Sequence, residues 1–151
     1  FNTDRWEGLP DRTWHEVALE VDAPVLKNDA MQITAAPVIH PVPTIGLRIE
    51  GASGTVLAYS CDTAKSANVV QLARGADLLV HEATGTVPGV HASAEEAAET
   101  AAQAGVYRLV LVHLPSGQTD DDLADARQWF SKTEYGEELG TYALSVPEPS
   151  R

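Results

Sequence analysis

The sequence is short of several things that common functional classes require. A single cysteine rules out an internal disulfide, which fits a reducing compartment. Lys and Arg number 10 against 22 Asp and Glu, for a net charge of -12. Phosphate affinity comes mainly from clustered cations, so a surface that coats nucleic acid is disfavoured, although a bound metal would bring its own positive charge. No stretch approaches the roughly 18 to 20 consecutive apolar residues of a membrane helix, and the polar start FNTDRWEGLPDR lacks the basic and apolar regions of a signal peptide. No Gly-x-Gly-x-x-Gly follows an expected strand, which sets aside a dinucleotide-binding fold. The expectation is a cytoplasmic chain with no membrane partner.

What is present suffices for one domain with a proper core, at 151 residues and 44% hydrophobic. The chain opens at Phe1 rather than methionine, so a fragment, a processed chain or a domain cut is expected. HEVALEV (His15 to Val21) alternates apolar and polar residues as a half-buried strand does, with Asp22, Pro24 and Asn28 punctuating the turn after it. Met31 to Val38 reads as a second strand. Gly46 to Glu50 and Thr55 to Ser60 read as a hairpin around a Gly-Ala-Ser-Gly turn.

From Asp62 the pattern changes to alternating helix and strand. Asp62 and Thr63 suit the start of a helix to about Arg74, closed by Gly75, and Asp77 to Val80 reads as a short buried strand. Ser93-Ala94-Glu95-Glu96 has the form of a capping box opening an alanine-rich helix to Ala104, with Gly105 to end it. Arg108 to Val112 is the most apolar strand and is expected to lie centrally. Thr119 and three aspartates start a further helix to about Phe130, and Thr141 to Val146 reads as a last strand. The fold class is therefore α/β in layers, an antiparallel β segment followed by alternating helices and strands.

Four apolar runs break off at residues that bind metals or move protons: APVIH at His40, VLAYSCD at Asp62, DLLVHE at His81 and Glu82, and RLVLVH at His113. Such folds place ligands at the carboxyl ends of their strands, so these residues are expected to gather into one site. A lone histidine at a strand end is more often a hydrogen-bonded rim residue than a ligand, and Asp62 is explicable as a helix cap alone. His15, on the polar side of its segment, is assigned no function.

Taken in order, APVIHPVPTIGLRIE, VLAYSCDT, DLLVHEAT, the HAS before a capped helix and RLVLVHLP resemble the second half of the metallo-β-lactamase superfamily, most of all its ribonuclease Z branch. The likeness runs from about Met31 to His113 and more loosely to Val146. It implies the carboxyl-terminal half of an αββα sandwich with a dinuclear zinc site between its halves. By position, His40 resembles the histidine completing the first metal site, Asp62 the carboxylate bridging both metals, and His113 a ligand of the second. Imidazole and carboxylate oxygen are suitable zinc ligands. His91 resembles a histidine that assists the leaving group, with Glu82 expected to orient it, and neither His81 nor Glu82 is taken as a ligand.

Three departures shape the functional expectation. The His-x-His-x-Asp-His motif, which supplies most ligands in complete members, is absent from these 151 residues. The resemblance then implies a single, incomplete domain, completed by a missing N-terminal half or a complementary chain. Between Ile49 and Val56 there is only a tight turn, where transfer-RNA-processing members carry a long arm. Cys61 stands where the family usually has glycine, and is read as a structural thiol. The favoured function is zinc-dependent hydrolysis of a phosphodiester or related ester. RNA remains a candidate substrate, with transfer-RNA 3′ processing as one alternative and a non-catalytic assembly domain as another. Open β edges also allow a homodimer.

Overall fold

The computed structural model describes residues 13–117 and 119–144. Among them, seven strands pair in chain order into one mixed sheet. β1 (Ala23–Lys27), β2 (Met31–Pro37), β3 (Ile45–Gly51) and β4 (Val56–Tyr59) are antiparallel; β5 (Leu78–Glu82), β6 (Leu109–Val112) and β7 (Thr133–Tyr135) continue the sheet in parallel. Helices α1 (Ala67–Leu72), α2 (Ala94–Ala104) and α3 (Asp120–Trp129) form the crossovers. The change of direction at β4 follows the change of sequence pattern at Asp62, because parallel neighbours need a crossover whereas antiparallel ones need only a turn.

Local chemistry accounts for the element ends. The Asn28 side chain accepts from the amides of Ala30 and Met31 and closes the β1–β2 turn. Ser93 and Glu96 make the expected capping box, and Gly105 ends α2 in the left-handed region at φ 64°. Thr119 and Asp122 make an equivalent box on α3.

Register sorts the strand side chains onto two faces. Val56, Ala58, Leu79, Leu109 and Leu111 join the small residues of α2 in one buried cluster, so the alanine face of that helix allows close approach to the sheet. Each fully buried leucine contributes roughly 1.5–3 kcal/mol by leaving water. The other face carries Ile33, Ile49, Leu57, Val80 and Val112, all half-buried, and no described helix covers it. No helix among the described residues is long and apolar enough to cross a membrane.

Several expectations are corrected. Residues 15–21 form no strand: Leu19 is 62% exposed and no ladder partner lies beside the segment. The first strand starts instead at Ala23 and includes Pro24, tolerated because β1 is an edge strand with a bulge between Pro24 and Leu26. Asp62 does not cap α1. That helix begins four residues later, with Ser66 at its N-cap, and ends at Leu72 before Gly75. β6 lies inside the sheet next to its edge, not at its centre. Thr141 to Leu144 form no strand, and Ser145 and Val146 lie outside the described residues; the last strand is Thr133–Tyr135.

Candidate metal centre

The carboxyl ends of β4, β5 and β6 and the loops after β2 and β5 bring His40, Asp62, Glu82, His91 and His113 to one rim of the sheet. The three imidazoles form a row. His91 stands between the others, its ring centroid 5.4 Å from that of His40 and 5.4 Å from that of His113. Asp62 Oδ1 lies 3.2 Å from His113 Nδ1, and both side chains are nearly half exposed.

The hydrogen bonds of these rings show which nitrogen each has to offer. His40 Nδ1 meets the Val90 carbonyl at 3.0 Å, a partner that can only accept, so Nδ1 carries the proton and the Nε2 lone pair is free. The Thr84 hydroxyl donates to the His113 carbonyl at 2.8 Å and lies 3.0 Å from His113 Nδ1. Having spent its proton, that hydroxyl accepts from Nδ1, which again leaves Nε2 free. A ring whose far nitrogen is held by an acceptor is the usual state of a metal-ligating histidine. Imidazole nitrogen and carboxylate oxygen are ligand types that suit a divalent metal such as zinc, and because His40 and His113 stand on either side of His91 they would serve different metal positions.

Glu82 has a different environment. Its side chain is 1% exposed, and Oε1 accepts from the amide of Thr63 at 2.9 Å and from His91 Nδ1 at 2.8 Å, while Oε2 accepts from the amide of Thr84 at 2.9 Å. Burial would raise its pKa, but the amides of Thr84 and Thr63 and the His91 ring outweigh that and hold it below the usual carboxylate range. Glu82, His91 and His113 offer ligand atoms within 4.8 Å of one another, a spacing able to hold a cation. The lone pairs of Glu82 are already spent on backbone and ring donors, which suits it to orienting His91 instead. The sequence pairing of Glu82 with His91 thus exists as a hydrogen bond.

Two of the four non-glycine residues with left-handed backbones among the described residues lie at this rim. Cys61 and His113 both have left-handed backbones, at φ 52° and 51°, each just beyond a parallel-sheet strand. Such conformations are uncommon outside glycine and cost of order 1–3 kcal/mol, persisting where the surroundings over-determine them. The bend at Cys61 sets Asp62 at the rim, while burial and the Asp62 charge push the Cys61 thiol up. Thr63 and Thr84 hold Glu82 and His113 in place; the sequence marks Thr63 only as a helix cap and Thr84 only by its place within His81-Glu82-Ala83-Thr84. His81 lies away from the rim's chemistry, fully buried, its Nδ1 bound to the Glu82 carbonyl.

The chain is similar to known proteins. A family model described as the beta-lactamase superfamily domain matches residues 2–114. A ribonuclease Z of Mycolicibacterium paratuberculosis is 36% identical over 152 aligned positions, covering 87% of this chain and 54% of its own. A metallo-beta-lactamase fold protein of Bacillus subtilis superposes with a TM-score of 0.67 at 27% identity, over 79% of this chain and 51% of that one. The short form of human tRNase Z does so with a TM-score of 0.65 at 20% identity, over 83% and 48%. The chain spans about half the length of the curated relatives it matches.

Proposed function

Because the chain belongs to the beta-lactamase superfamily and has ribonuclease Z relatives, we propose that it forms the carboxyl-terminal part of a zinc-dependent phosphodiester hydrolase. In this reading His40, Asp62 and His113 contribute to a dinuclear site whose other ligands lie on the missing half of the fold or on a complementary chain. The single observation that carries it is the paired tautomers of His40 and His113, each with Nδ1 held and Nε2 free, beside the Asp62 carboxylate.

The metals would supply Lewis-acid stabilisation and an activated water. The rest of the chemistry belongs to this chain. Glu82, itself fixed by two backbone amides, accepts from His91 Nδ1 and so points Nε2 outward between His40 and His113. A proton on that Nε2 is placed to pass to the oxygen of the departing group. Asp62, anchored beside His113, is the carboxylate able to serve both metal positions.

The substrate expected is a small phosphodiester or ester. Only four residues, Ala52 to Thr55, connect β3 to β4, too few for an RNA-gripping arm, and the charge of -12 opposes a long polyanion. Transfer-RNA 3′ processing is the alternative raised by the names of the relatives.

Two variants test the assignment. Asp62→Ala should weaken both metals, whereas His91→Ala should retain them while turnover falls about 100-fold or more, the range of a lost general acid. Full metal retention by Asp62→Ala would reject the bridging role. Unchanged turnover in His91→Ala would make it a structural loop residue. A chain that binds no metal even with its complementary half would support the non-catalytic assembly reading.

A further inference from the structure

The far end of the sheet carries a second site of different character. Tyr107 and Arg108 precede β6, and Lys132 precedes β7, so their loops lie at the amino ends of these two parallel strands, whereas the carboxyl end of β6 leads into His113 at the metal centre. β6 has four residues, which at about 3.3 Å each separates the two ends by roughly 13 Å. Between these loops and the last turns of α3 lies an open cleft of about 450 Å³, within the size range of small-ligand sites.

The charge of this cleft is opposite to that of the molecule. Of the seven Lys and Arg side chains among the described residues, three line it, Arg108, Arg127 and Lys132, with Glu134 as the one carboxylate; the local balance is +3 and -1, or +2, in a chain of -12. Arg108 is paired with Glu134. Arg127 donates from Nε to the Thr133 carbonyl at 2.8 Å, which fixes the guanidinium plane and leaves its two terminal nitrogens without a protein acceptor among the described residues. Among the described residues Lys132 Nζ has only the Tyr107 ring, 3.5 Å from its centroid. Ser131 also lines the cleft.

From these observations we infer that the Arg127–Lys132 cleft binds a small phosphate-bearing molecule, independently of the metal centre. A guanidinium fork with two free nitrogens, an ammonium point charge and a hydroxyl match a tetrahedral oxyanion, and the surplus of two positive charges matches a phosphate dianion. Tyr107, 51% exposed, adds apolar surface for the body of the ligand. The inference does not rest on the hydrolase reading.

Calorimetric titration of the chain with inorganic phosphate and with adenosine 5′-monophosphate, after EDTA treatment to remove metal, tests it. Binding that survives EDTA and weakens about tenfold or more in Lys132→Ala and Arg127→Ala supports the site. Arg127→Ala also loses the Thr133 contact, so if its circular dichroism departs from that of the parent, Lys132→Glu decides. No heat from either ligand would overturn the inference, as would binding unaffected by the Lys132 variants. It is also overturned if single-stranded RNA binds through Lys132 while neither small phosphate does.

Discussion

His81 and Glu82 are adjacent in β5, and period-two alternation sends them to opposite faces. Glu82 turns to the rim, where amide donors compensate its burial. His81 pairs in register with Leu111 on the helix-covered face, where Nε2 has no hydrogen-bond partner among the described residues. Burial lowers the His81 pKa below 6.5, opposed only in part by its bond to the Glu82 carbonyl and by the charges of Glu82 and Glu96. As pH falls below about 6.5 the unfolded chain takes up a proton that the folded chain resists, so the stability due to neutral His81 is full above that pH and declines beneath it. Urea midpoints at about pH 7.5 and about pH 5.5 should therefore differ more for the parent than for His81→Gln. Equal pH dependence in the two proteins would contradict this role.

At the scale of elements, the strands that end in chemistry were legible because long apolar runs followed by a polar residue mark buried parallel strands and their exposed ends. Ser93 and Gly105 stated both ends of α2 in side-chain chemistry alone. Residues 15–21 misled because alternation describes a strand only if a neighbour exists to pair with it, and pairing is a tertiary fact. The start of α1 was hidden likewise: Asp62 and Thr63 are good caps, but their groups are engaged at the rim, with Thr63 bonding to Glu82 and to the Ile39 amide. Hence the helix waits for Ser66. Close approach of elements was also invisible in sequence. A Cβ on Gly46 would stand 2.9 Å from Leu72 Cδ1 and 3.0 Å from the Tyr59 carbonyl, the latter backbone that cannot rotate away. Gly46→Ala should destabilise by about 1–3 kcal/mol, read as a lower denaturation midpoint, by prising β3 from α1 and β4. An unchanged midpoint would show that the junction relaxes freely.

For the whole molecule, the decisive features are the uncovered sheet face and the incomplete ligand set. Apolar residues of β2 to β6 line a surface that α1, α2 and α3 do not reach, on the sheet whose rim holds His40, Asp62 and His113. Three protein ligands cannot by themselves close two metal positions. Under the proposed function both features would be met by one partner, a second layer carrying further metal ligands; the chain spans about half the length of the curated relatives it matches. The direct test is the metal content of the natively purified protein, with the intact mass of every chain that accompanies it. The account predicts about two zinc ions per completed site, held with a segment or chain that supplies the additional ligands, and their loss in Asp62→Ala. A metal-free protein that stays metal-free beside such a partner, or an Asp62→Ala variant that keeps both ions, would contradict it.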